Sequence, residues 1–424
     1  MSQVHVTSQS ASSGSSVDDA IVSPVTYAEP SRSDALFADL RAHEPVRWTQ
    51  PQGFRPFWTV TRHADIRAIE GDPEHFANAP RLVLRSIALE DQVKALTGGR
   101  TLLLRNLVNL DGGEHRALRV LTQAWFMPPR LKALETDLKR LAGDHMDLLA
   151  ARDGAADFVQ DVASWYPLRV IMSILGLPAE DEPKILKLTQ QIFGPDDPDV
   201  KTDPSVNVVT TVDEFTAYFT ALTAARRASP TNDVASLIAN AVIDGVPIGD
   251  LEALSYYVLI ATAGHDTTGS TIAGGLLALI QHPAQMRRLR DDPALLPRAV
   301  DEMVRWVTPV KHFFRTALED AEVGGQRVRK GDSLLMCYAS ANRDAEAFDD
   351  PFAFDVARPQ SRHLAFGYGP HLCLGQHLAK LEIRLFFEAL LARFDDFILD
   401  GDPAWVASNF VSGLKRLPIR YRAV

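Results

Sequence analysis

Cys373 stands in AFGYGPHLCLGQHLAKLEIRLFFEALL, residues 365–391, where a loop rich in glycine and proline runs into an apolar helical pattern. It is one of two cysteines in 424 residues, and His371 precedes it by two places. A lone cysteine is usually a small buried hydrophobe, but packing alone would leave Gly367, Gly369 and Gly375 unexplained. Three chemistries suit the thiol. A zinc site can draw on His363, His371, Cys373 and His377, although their spacing lacks the paired CxxC or HxxxH pattern of a structural site. A nucleophile needs a base and an orienting group, and only His371 is local. A thiolate ligand to iron suits the glycines, which let a loop lie flat against a planar group and leave amide hydrogens for the sulfur. A helix starting near Gly375 would aim its positive end at Cys373 and favour the thiolate.

A second chemical cluster is AGHDTTGST, residues 263–271. It interrupts an apolar pattern that predicts one long helix, capped by Asp250 and stopped at Pro283, of roughly 31 residues and about 45 Å. Threonine hydroxyls bond backward to carbonyls and open the helical ladder, so a local bulge that holds water or a small ligand is expected. Gly264 removes a side chain there, while Asp266 and Thr267 supply an acid and an alcohol. The alternative is a plain solvated face.

Other charged groups are spaced for pairing. Glu302 and Arg305 lie three apart on one helix, where an exposed pair is worth only about 0–1 kcal/mol. Arg358 could complete a buried Glu/Arg/Arg cluster if its segment folds back. His115 and Arg119, in LDGGEHRALR, share a face of a helix that begins after the Gly-Gly turn. Arg315 follows Phe313 and Phe314 in an apolar stretch, and these cations together with His371 could neutralise a dianionic ligand.

The elements that must hold these groups follow from periodicity. EPVRWTQ and PFWTVTR alternate as strands, and residues 114–300 are mainly helical. EDAEVGGQRVRKGDSLLMCYAS reads as a hairpin and a buried strand, and the C-terminal NFVSGLKRLPIRYRAV is again strand-like. The expectation is a mainly α fold with small β-sheets, in one domain over residues 26–424, after a flexible polar tail at 1–25. A 46% apolar, 23% charged composition fits a globular protein with a large core. The net charge of -10 gives no global positive field for nucleic acid or anionic lipid. Two cysteines make no disulfide framework, and no run reaches the roughly 18 apolar residues of a membrane span. A cytoplasmic location is expected.

FGYGPHLCLG matches the haem-binding signature of the cytochromes P-450, with Phe366, Gly369, Cys373 and Gly375 at the matching positions. AGHDTT resembles the family's oxygen-activating helix, EMVR its Glu-x-x-Arg motif, and ANRD…FDDPFAFDVAR the segment carrying the second arginine. HRALR resembles the helix that holds the haem propionates, so the resemblance spans about residues 30–424. It implies a triangular fold with haem b between the long helix and the cysteine loop. Cys373 would be the axial ligand, shielded by Phe366, and its electron donation would favour O–O cleavage. Asp266 and Thr267 would organise water and deliver protons, Gly264 would leave room for dioxygen, and His115, Arg119, Arg315 and His371 would bind the propionates. Glu302, Arg305 and Arg358 would be structural.

The resemblance further implies a pocket lined by Leu104, Leu259, Ala263, Val310, Phe313 and Phe410, for a small hydrophobic substrate. The closing SNFVSGLKRLPIR and LLLRNLVNLDGGEH resemble the terpineol hydroxylase branch and relatives taking aromatic hydrocarbons. Hydroxylation of a monoterpenoid or small cyclic hydrocarbon is therefore expected, with a steroid or fatty acid as alternative. Electrons would come from a separate ferredoxin and its NAD(P)H-dependent reductase, with Lys380 and Arg384 facing the ferredoxin and the enzyme a monomer. The rival readings are a peroxide-driven peroxygenase, a non-catalytic haem sensor and a zinc-stabilised binding protein, none of which needs the Asp-Thr pair.

Overall fold

The computed structural model describes residues 16–194, 197–199, 207–359 and 362–424. Helices form most of the body. Its main sheet has five strands, in the order Val46–Thr49, Phe57–Val60, Ser333–Cys337, His312–Ala317 and Phe76–Ala77. VRWT is buried at both ends and open in the middle, whereas FWTV is buried at all but Trp58. Trp48 sits opposite Trp58 in the antiparallel register, where such cross-strand pairs stabilise a sheet. Ser333–Cys337, parallel to Phe57–Val60 and antiparallel to His312–Ala317, is almost wholly buried, as its unbroken apolar run requires. One large apolar cluster, from Leu107 to Tyr421, fills the helical body, and two smaller ones lie against the sheet. Among the described residues no helix is long and apolar enough to cross a membrane.

Helical structure is present before the expected boundary at residue 26. A short helix, Val17–Val22, is capped by Ser16, and Ile21 and Val22 are buried. Tyr27 Oη donates to Ile21 O at 2.8 Å, and Asn409 Nδ2 donates to Val22 O at 2.8 Å. The apolar pair, not the serines around it, decides the fate of this stretch; residues 1–15 lie outside the described residues.

The long helix is not continuous either. It runs as Asp250–Ala263 and Asp266–Gln281, with Gly264 and His265 between, and Gly249 holds the cap position rather than Asp250. Thr267 Oγ1 donates to Ala263 O at 3.1 Å and Thr262 Oγ1 to Val258 O at 2.7 Å. Hydroxyls thus compete with amides for the carbonyls at the break. Gly264 has a packing cause as well: a Cβ there would lie 2.6 Å from Ile260 O and 2.7 Å from Ile171 Cγ1.

Glu302 and Arg305 are fully buried, so the exposed-pair reading fails. Arg305 Nη2 and Nε each meet the carboxylate at 2.7 Å, and Arg358 Nε joins it at 3.0 Å. The Arg358 segment has folded back, and its guanidinium also donates to Asp349 O at 2.6 Å and Ala353 O at 2.7 Å. The cluster ties the Leu296–Val307 helix to the loop ahead of the cysteine segment.

Candidate active site

The cysteine loop is shaped by its contact with the helix His63–Gly71. Gly369 has a φ of +70°, and a Cβ on it would lie 2.2 Å from Glu70 O, so only glycine fits. Cys373 N donates to Phe366 O at 2.9 Å, which closes the loop. The helix Gln376–Arg393 follows, with Gly375 at its cap, where a Cβ would meet no protein atom within 4 Å.

Cys373, Phe366 and Gly375 line one side of a cavity of about 230 Å³, and Gly264, Thr267 and Thr268 line the other. Gly375 thus faces open space rather than packing. Burial pushes the Cys373 thiol up, against the amides of Gly375 and Gln376 and the Arg119 guanidinium, which pull it down. Helix polarity alone therefore does not secure the thiolate; a bound cation would.

The same cavity takes in His115, Arg119, Arg315 and His371. The helix that carries the first two is Gly112–Gln123, which includes both glycines expected before it, and Asp111 stands at its cap position. Asp111 leaves the cap unmade and instead accepts from Asn78 N and Ala79 N, each at 3.0 Å, with His371 Nε2 at 3.3 Å. Burial opposes its ionisation, but these bonds hold its carboxyl below the usual range. The rings of His115 and His371 lie 4.1 Å apart. Burial, with His371 and Arg119 nearby, takes His115 down to about 4, so its imidazole is neutral. His115 Nε2 is buried without a partner. Arg119 Nη2 donates to Leu372 O at 2.8 Å. Arg315 is tied to Glu70, Nη2 to Oε1 at 2.6 Å.

Glu70, Tyr338 and Glu382 also line this cavity and escaped the sequence reading. Burial pushes Glu70 up, although Arg315 and the Tyr338 hydroxyl pull it down, and its Oε2 has no partner. Both oxygens of Glu382 are buried without partners, and burial pushes its carboxyl well above the usual range. Its signal was a carboxylate on the apolar face of LAKLEIRLFF, in register with Leu378 and Leu385. Asp266 lines neither cavity, and burial raises its carboxyl to about 6.

The zinc reading fails on geometry. His363 Nε2 is 3.8 Å from Asp301, His371 is engaged by Asp111, and His377 is exposed. Among the described residues no group of three or more His, Cys, Asp or Glu could hold a metal ion. A single thiol in the lining of a largely apolar slot, together with an unpartnered imidazole and two arginines, instead suits a flat, largely apolar group bearing acidic arms. Lys380 and Arg384 are also already engaged, Lys380 with Asp301 at 2.7 Å and Arg384 with Glu135 at 3.2 Å and with Glu388. Neither offers the free charge expected for a partner protein.

A second cavity, of about 740 Å³, adjoins the first. Leu259, Ala263, Thr267, Val310 and Phe313 line both, while Leu104 and Phe410 line the larger one alone. All six side chains expected to form a substrate pocket thus surround one space.

A helical body holding a slot between a single-thiol loop and a broken helix suits a haem-thiolate protein. Residues 224–419 match the family described as Cytochrome P450. The whole chain is 42% identical over 411 residues to Cytochrome P450-terp of a Pseudomonas species, covering 95% of this chain and 96% of that one. It is 34% identical over 384 residues to linalool 8-monooxygenase of Pseudomonas putida, covering 91% and 94% of the two chains. The crystal structure of CYP108D1 from Novosphingobium aromaticivorans superposes with a TM-score of 0.89 at 43% identity, over 96% of this chain and 98% of that one. The chain belongs to the cytochrome P450 family; it is an oxidoreductase of the monooxygenase type, and haem b is its prosthetic group.

Proposed function

We propose that the enzyme hydroxylates a C–H bond of a monoterpenoid or similar small cyclic hydrocarbon, using dioxygen and two electrons delivered by a ferredoxin. The observation that carries this reading is the larger cavity, whose wall of Leu, Val and Phe meets the haem slot at Ala263 and Thr267. Its volume lies within the range of about 300–1,000 Å³ usual for ligand clefts. The relatives named Cytochrome P450-terp and linalool 8-monooxygenase support a terpenoid.

Cys373 would hold the haem iron, which when bound supplies the oxygen chemistry. His115, Arg119, Arg315 and His371 would hold its propionates, and the unpartnered His115 Nε2 gains a bond by doing so. Glu70 sits among these groups as a raised carboxyl, suited to carry a proton beside a propionate. Thr267, its hydroxyl hydrogen bonded to Ala263 O, keeps lone pairs turned to accept from water. Asp266, titrating near 6, can pass protons at neutral pH. Phe366 covers the sulfur side, and Glu302 with its two arginines keeps the cysteine segment in place. The same reading makes the protein a cytoplasmic monomer served by a separate ferredoxin and NAD(P)H-dependent reductase.

A panel of terpenes, arenes, steroids and fatty acids, titrated against the haem absorption of the ferric protein, tests the substrate. Terpenes or small arenes should shift the spectrum. No response from either class would defeat the proposal. Product formation with NAD(P)H should also require added ferredoxin.

A further inference from the structure

Arg85 is the one charged residue among the described residues that line the larger cavity. Among the described residues its guanidinium has no hydrogen-bond or ion-pair partner. The nearby acids are already taken: Glu90 meets Arg55 at 2.7 Å and Arg81 at 3.3 Å, and Asp91 meets Arg55 at 3.0 Å. This corner therefore holds three guanidiniums against two carboxylates.

The backbone around Arg85 is pinned on both sides. Phe314 N donates to Leu82 O at 2.8 Å, Leu84 N to His312 Nε2 at 3.1 Å, and Ile87 N to Gly53 O at 2.9 Å. His312 is a neutral imidazole, taken down to about 3 by burial, and its Nδ1 donates to Asn409 O at 3.0 Å. Ser86 caps the next helix through Leu89 N. Other polar groups of the wall are spent on the loop itself, Asn109 Nδ2 on Leu104 O and its Oδ1 on Asn106 N.

We propose that Arg85 is a specificity-determining residue that selects substrates bearing a carboxylate at the end remote from the oxidised carbon. This rests on the reading of the cavity as the substrate site and names the terpenoid class further, as a terpenoid acid. A guanidinium on the wall of a largely apolar cavity gives up part of its hydration, and burial accordingly lowers Arg85 from its ordinary value, with Glu90 opposing. A carboxylate restores both the charge balance and the planar two-point hydrogen bonding of the guanidinium; a hydroxyl restores neither. Arg85 lines the larger cavity and not the haem slot, whereas Ala263 and Thr267 line both. An acid held by Arg85 therefore leaves its apolar end toward Thr267.

The test compares perillate with limonene, which share a skeleton and differ at one carbon, in spectral titrations of the haem-loaded protein. Perillate should bind at least about tenfold tighter, and Arg85→Gln should cut the acid-to-hydrocarbon affinity ratio by about tenfold to a hundredfold. Arg85→Lys should retain part of the ratio, and an intact thiolate carbonyl band shows each variant folded. Equal affinity in the native protein, or a ratio untouched by Arg85→Gln, overturns the assignment. A second pair, decanoate and decanol, separates the two claims. If limonene binds and perillate does no better, Arg85 fails and the terpenoid reading stands. If both terpenes are silent while Arg85→Gln erases a preference for decanoate, the terpenoid reading fails and Arg85 stands.

Discussion

Asp266 gives a prediction in which stability and chemistry move in opposite directions. Burial raises its carboxyl from 3.8 to about 6 in the folded chain. A group whose folded value lies above its unfolded one favours folding while protonated and loses that benefit as pH rises. The loss begins near the unfolded value, grows to about pH 6, and is then constant. At about 1.4 kcal/mol per pH unit, the gap amounts to about 3 kcal/mol. Asp266→Asn, which cannot ionise, should therefore be more stable than the native protein by about 3 kcal/mol at pH 7.5. At pH 5 the advantage should fall to about half of that. Urea unfolding of the ferric protein at the two pH values, followed by far-ultraviolet circular dichroism, measures the difference. The same variant should turn over about a hundredfold or more slowly, because a positioned proton carrier is typically worth that much. A stability difference that does not grow between pH 5 and 7.5, or a less stable variant, would refute the burial argument.

Other perturbations test other parts of the site. Glu302→Gln leaves two buried guanidiniums without their counter-charge and should cost about 3–5 kcal/mol, more than Arg358→Met, in urea unfolding. His115→Phe removes the unpartnered Nε2 and should speed haem loss to apomyoglobin several-fold, with the carbonyl band unchanged in position. Gly369→Ala forces a Cβ against Glu70 O, within 2.2 Å, and strains a positive φ. It should express with a lower haem-to-protein ratio than Gly375→Ala, whose Cβ meets no protein atom.

The chemistry was legible where it is local. Cys373, His371 and the glycines lie within a few residues, and AGHDTT is a contiguous interruption of an apolar helix. The rest depends on neighbours brought from afar. Glu302 and Arg305 have the spacing of a surface pair, and the buried Glu/Arg/Arg cluster, open from the sequence only if the Arg358 segment folds back, needs the returning loop of Asn342, Pro351 and Arg358. Glu70 acquires its meaning from Arg315 and Tyr338, more than two hundred residues away. Arg85 is one arginine among many until its neighbours' acids are seen to be taken. Lys380 meets Asp301 and Arg384 meets Glu135, both on other helices, while the pairing of Arg384 with Glu388 lies four places along its own. The long helix was read as one span with a local bulge because the apolar pattern continues across Gly264 and His265; in the structure it is two helices, Asp250–Ala263 and Asp266–Gln281.

The claim on which the rest depends is thiolate ligation of haem by Cys373. A carbon monoxide difference spectrum of the dithionite-reduced protein tests it most directly, with Cys373→Ala measured beside it. The native protein should show the red-shifted Soret band of a thiolate-bound ferrous carbonyl, and the variant should lack it. A native spectrum without that band, or a variant that keeps it, would contradict the account.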